Sequence, residues 1–376
     1  MDLDIKYPAI SDLRARAKRR IPHFVFEYLD SATGLEDQHD RNQSQLRAIQ
    51  FMPEVLHGTV IPDVKTTFMG RDYPMPVGCA PVGMSGIMWP GAEKIISAAC
   101  ARIGIPYCMS TVATVVPETL APHIGDQGWF QLYPPSDKGI RTDMMRRARE
   151  AGFHTLIVTV DVPNDSRRER QRRANLTIPP KINLAMLISM ALHPEWTLGT
   201  LREGIPSLKF CEDYGGDDAA SSVQHAGHVI RGQPSWAEID EIRAEWDGPF
   251  LVKGIQKPED AKRLVSAGID GVWASNHTGR QFDGGPASID CLPAIREAVP
   301  DTPIVFDSGV RGGLDVMRAL AKGADFVMLG RAFHYAVAAL GDKGPDHLVH
   351  ILRDDMFCNM NQIAAKDLSE LKAALV

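Results

Sequence analysis

A histidine and an arginine three residues apart could carry out acid–base chemistry on an anionic substrate. They are His277 and Arg280, in the stretch SNHTGRQFDGG from Ser275 to Gly285. An imidazole suits a base that works near neutral pH, and a guanidinium can hold a carboxylate through two hydrogen bonds. A single histidine in a loop is usually a surface residue, but the flanking Gly and Asp residues indicate a compact loop. The pair therefore predicts a site for an anionic substrate.

Two glycine-containing stretches later in the chain predict a phosphate site. The first is DSGVRGG, from Asp307 to Gly313, and the second is Gly330 followed by Arg331. Glycines before the start of a helix let backbone N–H groups hold a phosphate, and nearby arginines add positive charge. A weak surface ion pair is the alternative role for Arg311 and Arg331. The pattern favours a phosphorylated ligand without identifying it.

The elements that would position these residues begin with eight short apolar runs, each of which ends in small or polar residues. Such runs are typical of buried parallel strands. They are VGCAP (77–81), YCMST (107–111), WFQLY (129–133), TLIVTVD (155–161), FLVKG (250–254), GVWASN (271–276), PIVFDSG (303–309) and FVMLGR (326–331).

Helical patterns separate these runs, for example GAEKIISAACARIG and GGLDVMRALAKGA, with apolar residues at helical spacing and a glycine near the end. Eight alternations of strand and helix predict an α/β fold, a closed (β/α)8 or TIM barrel. A doubly wound open sheet is the rival, but its G-x-G-x-x-G fingerprint is absent after the first strand. In such barrels chemistry takes place at the carboxyl ends of the strands, and phosphates bind after the seventh and eighth.

The carboxyl ends of the predicted strands are unusually polar. Each of these residues alone could be a strand-end cap, but together they predict a site. They are Ser110, Gln131, Tyr133, Thr159, Asp161, Lys253, Ser275, His277 and Asp307.

We expect a single domain over residues 1–376, with the barrel at 75–341. Residues 1–70 would form a helical cap, in which SDLRARAKRRIPHFVFEYLDSATG gives a helix, a proline break and a second helix ending at Gly34. The fourth and fifth strands lie far apart, which places a long insertion at 163–235. Residues 342–376 would form a C-terminal helical segment. A loop as long as the insertion is usually a lid, a binding segment or disordered.

Composition excludes several classes of protein. A net charge of −6 argues against a nucleic-acid-binding protein. The six cysteines are scattered, without zinc-finger spacing, so we expect free thiols in a reducing cytoplasm and no metal site. The N-terminus does not have the pattern of a secretory signal, and no apolar run reaches the 18 residues of a membrane span.

In these motifs the sequence resembles a known family, the FMN-dependent 2-hydroxy acid oxidases and dehydrogenases. SNH-x-GRQ-x-DG is among the most specific signatures of that family, and FQLY, TVD, LVKG and D-x-G-x-R-x-G occur in the family's order. The resemblance runs from about residue 21 to residue 341. It implies oxidation of an (S)-2-hydroxy acid to the 2-oxo acid with FMN as the cofactor.

The resemblance also implies roles for individual residues. His277 would be the base that takes the substrate proton, and Asp161 would stabilise the resulting imidazolium. Lys253 would place a positive charge beside the flavin ring, near N1 and O2. The groups that would hold the substrate are Tyr28 and Arg280 at its carboxylate, Tyr133 at its hydroxyl, and Arg168 as a further cation at the mouth.

For the flavin, the resemblance implies one set of contacts at the ring and another at the phosphate. The ring would pack near Pro81, Val82 and Gly83, and Ser110, Gln131, Thr159 and Ser275 would reach its polar edge. The ribityl chain and phosphate would contact Asp307, Gly309, Arg311, Gly330 and Arg331.

Three residues depart from patterns within the family. Thr278 replaces the usual glycine after the catalytic histidine, where a side chain could shift the loop or narrow the pocket. Val112 replaces a bulky aromatic residue of glycolate oxidase, which argues against glycolate. Gly83 stands where oxygen-using oxidases typically carry alanine.

Gly83, with APVGMSGIMWP (80–90) and LHPEWTL (192–198), is most similar to the quinone-linked (S)-mandelate and L-lactate dehydrogenases. This similarity implies a lactate-like or mandelate-like substrate, a quinone or another non-oxygen acceptor, and a homotetramer. It also implies peripheral contact with the inner face of the cell membrane through residues 167–201, which contain an arginine cluster and an apolar stretch.

The sequence leaves alternatives open for the electron acceptor, the cofactor and the role of the insertion. An oxidase that releases hydrogen peroxide is the main alternative. A remote alternative is a phosphate-binding barrel without flavin, an isomerase or aldolase, in which Lys253 forms a Schiff base. For the insertion, a lid over the active site or a subunit contact is as well supported as a membrane segment.

Overall fold

The computed structural model describes residues 2–174, 184–214, 232 and 234–376. Ten strands occur in this part of the chain. They are β1 (Thr66–Phe68), β2 (Arg71–Tyr73), β3 (Val77–Cys79), β4 (Tyr107–Ser110), β5 (Gly128–Leu132), β6 (Thr155–Thr159), β7 (Phe250–Ile255), β8 (Gly271–Ala274), β9 (Ile304–Phe306) and β10 (Phe326–Leu329).

The α-helices of the described ranges are α1 (Leu3–Lys6), α2 (Ile10–Arg20), α3 (His23–Asp30), α4 (Asp37–Ala48), α5 (Ser85–Met88), α6 (Ala92–Ile103), α7 (Pro117–Ile124), α8 (Lys138–Glu150), α9 (Glu169–Arg173), α10 (Leu184–Ala191), α11 (Pro194–Glu203), α12 (Lys209–Glu212), α13 (Trp236–Glu245), α14 (Pro258–Ser266), α15 (Ser288–Ala298), α16 (Gly313–Ala321), α17 (Arg331–Leu340) and α18 (Gly344–Gln362). Short 3-10 helices occur at His277–Gly279, Gly341–Lys343 and Leu368–Ala374.

Strands β3 to β10 form a closed barrel in which β10 pairs with β3. All eight pairings are parallel, for example Val327 with Val77 where the barrel closes. The strands are apolar on both sides because one side faces the barrel interior and the other faces the helices. The (β/α)8 barrel and its eight predicted strands are confirmed.

Aromatic side chains close the amino-terminal end of the barrel. The hairpin β1–β2 places Phe68 against Phe326, with ring centroids 5.0 Å apart, and Tyr73 against the same ring at 5.2 Å. Trp129 stacks on Phe68 from inside the barrel. Such pairs stabilise a core by about 0.5–1.5 kcal/mol each beyond the area that they bury. The opposite end of the barrel stays open.

The N-terminal helices place backbone groups at this open end. Helix α2 buries Leu13 and Ala17 and packs on α17, and Pro22 separates it from α3. Helix α3 ends at Asp30, whereas the sequence predicted an end at Gly34. The reason is that the backbone becomes extended at Ser31, whose carbonyl oxygen accepts hydrogen bonds from two arginines of the barrel loops.

Helices α9 to α12 lie in the predicted insertion at 163–235. Residues 175–183, 215–231 and 233 of that insertion are outside the described part of the chain, and these include all of the Gly- and Asp-rich stretch after Tyr214. Within the described ranges, none of the helices combines the length and the apolar character needed to cross a bilayer.

Candidate active site

A cavity opens at the carboxyl ends of the barrel strands. Most of the predicted site residues line it, namely Tyr28, Pro81, Val82, Gly83, Ser110, Tyr133, Arg168, Lys253, His277, Arg280, Asp307, Gly309, Arg311, Gly330 and Arg331. The other four contact or adjoin this lining: Asp161 bonds to His277, Ser275 to Lys253, Gln131 to Ser110, and Thr159 pairs with Lys253 on the next strand.

His277 and Asp161 form a partly buried pair at the cavity, with side chains 19% and 11% exposed. The Nδ1 atom of His277 lies 3.1 Å from one carboxylate oxygen of Asp161 and 3.2 Å from the other. The carboxylate therefore fixes the proton on Nδ1 and leaves Nε2 to accept another proton. This arrangement is the one expected of an imidazole general base.

Burial is the largest influence on the pKa of His277 and lowers it below the ordinary value of 6.5, although Asp161 opposes this effect. Burial raises the pKa of Asp161, but the positive charges of His277 and Lys253 outweigh burial, so that its pKa is lowered overall. At neutral pH the imidazole is thus uncharged and the carboxylate is ionised. The histidine can act as a base without first losing a proton.

The loop that carries His277 has an unusual backbone. His277 and Thr278 both have positive φ angles, 55° and 57°. This region favours glycine and is strained for a β-branched residue, which gives a physical reason for glycine at this position in similar proteins. The loop nevertheless keeps the contact of His277 with Asp161, and the backbone N–H of Thr278 donates to the Ser308 hydroxyl at 3.2 Å. Thr278 lines the cavity without displacing the base.

Lys253 is a buried cation at the centre of the site. Its Nζ donates to the Ser275 hydroxyl at 2.8 Å and lies 3.4 Å from an Asp307 carboxylate oxygen. Burial lowers the pKa of Lys253, but Asp307 and Asp161 raise it by more, so that it lies above the ordinary value. Lys253 is therefore charged at neutral pH. A charged amine cannot attack a carbonyl, which argues against the Schiff-base role.

Two buried polar atoms on neighbouring strands fit the polar edge of a flavin ring. Among the described residues, neither Nε2 of Gln131 nor Oγ1 of Thr159 has a hydrogen-bond partner in the protein. Leaving such groups unpaired costs free energy, so a bound ligand is expected to satisfy them. Both were predicted to reach the flavin.

Gly83 allows close packing beside the cavity. A β-carbon at this position would lie 2.6 Å from a methyl carbon of Val112, a separation that real contacts essentially never show. Gly309 has a φ of 102° and lies against the backbone of Asn42 in helix α4. Neither position can therefore take a larger residue without strain: residue 83 because of the side chain of Val112, and residue 309 because of its backbone angle and the neighbouring helix.

Arg280 provides the cation predicted to hold the substrate carboxylate. Its Nη1 donates to the carbonyl oxygens of Tyr28 and Ser31 at 3.0 and 2.8 Å. Burial, followed by repulsion from Arg168 and Arg331, lowers its pKa to about 9. The guanidinium is still charged at pH 7, and a bound anion would offset the unfavourable burial of this charge.

Arg170, in α9, ties the insertion to the N-terminal helices. Its guanidinium contacts Glu27, Asp30 and Glu36 at 2.6, 2.9 and 3.0 Å. This network holds Arg168 at the cavity, where its φ is 43° and its backbone N–H donates to the Thr33 hydroxyl. The predicted arginine cluster therefore does not act as one surface, because Arg170 is engaged within the protein.

Sequence reasoning missed several residues of the cavity. Ser308 lines it with a φ of 87°, and its hydroxyl bonds to Asp307. Because Ser308 lies between the predicted residues Asp307 and Gly309, the sequence could have indicated it as a cavity residue. Leu29, Met88 and Val162 also line the cavity, and they come from three separate segments with no motif to mark them.

Comparison with known proteins agrees with this geometry. A family model described as FMN-dependent dehydrogenase matches residues 17–376. The L-lactate dehydrogenase of Ectopseudomonas mendocina (strain ymp) is 38% identical over 372 residues, which cover 98% of each protein.

Two kinds of solved structure are also similar. The monotopic membrane protein (S)-mandelate dehydrogenase matches with a TM-score of 0.91 and 30% identity, covering 98% of both chains. Mandelate oxidase matches with a TM-score of 0.81 and 28% identity, with the same coverage. The remote alternative of a barrel without flavin is wrong, because the family model matches nearly the whole chain. The chain belongs to the FMN-dependent dehydrogenase family, and FMN is its cofactor.

Proposed function

We propose that this enzyme oxidises an (S)-2-hydroxy acid of the lactate or mandelate type to the 2-oxo acid. The observation that carries the proposal is a cavity lined by an uncharged, carboxylate-bound histidine, His277, and by a partly buried cation, Arg280. The L-lactate dehydrogenase and (S)-mandelate dehydrogenase relatives support the substrate class.

Each polar group of the substrate would have a partner in the site. The carboxylate would bind Arg280 with Tyr28 and Arg168, and the hydroxyl would lie between Tyr133 and Nε2 of His277. His277 takes the hydroxyl proton, and Asp161 stabilises the imidazolium that forms. FMN, when bound, would take up the hydrogen on the substrate α-carbon together with its electron pair, so that this C–H bond breaks as the C=O bond forms. Lys253 would supply positive charge beside the flavin ring.

Anaerobic reduction of the flavin tests the substrate class. The purified yellow protein is mixed without oxygen with (S)-lactate, (S)-mandelate and longer aliphatic (S)-2-hydroxy acids, and the flavin absorbance is followed. We expect at least one (S)-acid to bleach the flavin and its (R)-enantiomer to leave it oxidised. A flavin that dithionite reduces but no 2-hydroxy acid bleaches would refute the proposal.

We further propose that a quinone, or another non-oxygen acceptor, reoxidises the enzyme. Gly83 supports this proposal, since oxygen-using relatives typically carry alanine there, and so does the similarity to a membrane-bound dehydrogenase. The mandelate oxidase relative favours the alternative, an enzyme that releases peroxide. Comparing the rate of peroxide release in air with the anaerobic rate of reduction of a soluble quinone decides between them. Faster turnover with oxygen would favour the oxidase.

If a membrane quinone is the acceptor, the enzyme needs a surface that binds the membrane, and we propose that helices α10 and α11 provide it. Leu187 and Ile188 in α10 are about half exposed, and Leu198 and Leu201 in α11 are more than half exposed. Apolar side chains on short surface helices that follow an arginine-rich stretch of the sequence suit the interface of an anionic bilayer. We propose peripheral binding at the inner face of the cell membrane, by a homotetramer.

Sedimentation with vesicles tests this surface. The double variant Leu187→Ser/Ile188→Ser should bind less to phosphatidylglycerol vesicles, whereas Ile5→Ser, at an exposed residue of helix α1, should bind as the parent does. Turnover with a soluble quinone should change little in both. A subunit contact would instead show as a smaller particle by light scattering, and a lid would show as a changed KM. A smaller particle or a changed KM, with vesicle binding equal to that of the parent, would refute the membrane role.

A further inference from the structure

Arg331 lies at the end of the cavity where the phosphate is expected, and its side chain is held without an acid. Its Nη2 donates to the carbonyl oxygen of Ser31 at 2.9 Å, and its Nη1 lies 2.9 Å from Nδ1 of His39. Its Nε is buried and has no partner among the described residues. The residue is only 7% exposed. Arg331 therefore has an unused donor beside the cavity that it lines.

His39, in helix α4, is the acceptor of this contact. Arginine can only donate hydrogen bonds, so Nδ1 of His39 must carry a lone pair and the ring must be neutral. The remaining proton then lies on Nε2. Nε2 of Gln43, which is also a donor, lies 3.0 Å from this ring atom, so the two groups pair only when the Gln43 amide is turned to present its oxygen. Burial and the positive charges of Arg331 and Arg311 agree with this state, because they lower the pKa of His39 to about 3.

Because His39 is neutral, it holds Arg331 without neutralising the positive charge of the guanidinium. A carboxylate in place of His39 would hold Arg331 equally well but would neutralise it. The acids whose charges act on Arg331, Asp30 and Glu36, are already bonded to Arg170. Arg311 also bonds to a carbonyl oxygen, that of Val310. Across the described residues, neither Arg331 nor Arg311 takes part in an ion pair, so both positive charges remain available to a ligand.

We infer that His39 is a positioning residue of the cofactor site, which aims Arg331 at the FMN phosphate while leaving its full positive charge to that dianion. Helix α4 thus serves the cofactor site although the cavity lining does not include His39. The inference depends on FMN as the cofactor and not on the identity of the substrate.

A matched pair of variants separates charge from shape. Oδ1 of asparagine can take the place of Nδ1 of histidine, and aspartate has nearly the same shape as asparagine but carries a charge. The full-length protein, stripped of flavin, is titrated with FMN and, separately, with riboflavin, which lacks the phosphate. Quenching of flavin fluorescence gives both dissociation constants. His57→Asp, on an exposed loop, adds the same charge away from the site.

We expect His39→Asn to bind FMN within about threefold of the parent, and His39→Asp to bind it at least about tenfold more weakly. Riboflavin should bind equally to both variants, and His57→Asp should bind FMN as the parent does. Equal FMN affinities for the Asn and Asp variants would overturn the inference. So would an equal loss for riboflavin, because that result would indicate a purely structural role.

His39→Leu keeps the inference testable if the aspartate variant does not fold. Leucine fills a similar volume but accepts no hydrogen bond, so Arg331 would lose its orientation. We expect FMN to bind several-fold more weakly to this variant and riboflavin to bind unchanged, with a circular dichroism spectrum like that of the parent. FMN affinity equal to that of the parent would refute the positioning role.

Discussion

A methyl carbon of Val112 lies 2.6 Å from the position that a β-carbon on residue 83 would occupy, so glycine at 83 and valine at 112 are matched to each other. The carbonyl oxygen of Val112 is also near that position, at 3.3 Å. These residues come from the loops after the first and second barrel strands, which meet in the cavity wall.

We therefore expect Gly83→Ala alone to destabilise the protein by about 1–3 kcal/mol, as overpacking usually does. Val112→Ala removes the clashing methyl groups, so the double variant should be more stable than Gly83→Ala. Thermal unfolding of the parent, the two single variants and the double variant measures this coupling. Additive effects of the two substitutions would show that the residues are not matched.

His277→Gln should lower turnover by about a thousandfold or more, because the amide cannot take the substrate proton. The flavin should stay bound, since His277 is not among the residues expected to hold the phosphate. Stopped-flow reduction of the flavin and the ratio of flavin to protein measure the two effects. His57→Gln, on the exposed loop, is the control, and near-normal turnover of His277→Gln would contradict its role as the base.

The rate should depend on pH through His277. The base works when neutral, and burial lowers its pKa below 6.5, so kcat/KM should be level at neutral pH and fall only as pH drops below that value. Asp161 raises the pKa of His277, so Asp161→Asn should move this fall to still lower pH.

Asp161→Asn should also lower kcat/KM at neutral pH, where it does not depend on pH, by about 10²–10⁴-fold, because the imidazolium loses its carboxylate partner. Rates measured between pH 4.5 and 9 test both effects. If the fall in kcat/KM moved to higher pH in Asp161→Asn, Asp161 would not be raising the pKa of His277, and the prediction would be wrong.

Arg280→Lys should mainly weaken substrate binding. Lysine keeps the charge but cannot form two parallel hydrogen bonds with a carboxylate, so we expect KM to rise by about 10- to 100-fold and kcat to fall less. Arg280 also binds the carbonyl oxygens of Tyr28 and Ser31, so the melting temperature is measured as well. An unchanged KM in a folded variant would argue against the carboxylate role.

Thr278→Gly should stabilise the protein by about 1 kcal/mol, because glycine adopts a φ of 57° without strain. Activity should be retained, since the contact of His277 with Asp161 does not involve the Thr278 side chain. Denaturant unfolding measures the change. Thr302→Gly, at a position without a positive φ, should not stabilise the protein and serves as the control.

The sequence by itself determined the barrel and most of the residues that line the cavity. The eight strands could be predicted because strands buried on both faces must be short and apolar, and glycines mark their ends. His277 and Arg280 could be predicted because they lie in one motif. The polar strand ends could be grouped because parallel strands bring their carboxyl ends to the same side of a barrel.

Only the tertiary structure decided which distant segments complete this site. Ser31 ends helix α3 because two arginines, far away in the chain, bond to its carbonyl oxygen. His39 reaches Arg331 across 292 positions of sequence, and Gly83 is required by the position of Val112. Such contacts depend on how helices and loops pack in three dimensions, and the hydrophobic pattern along one chain does not specify that packing.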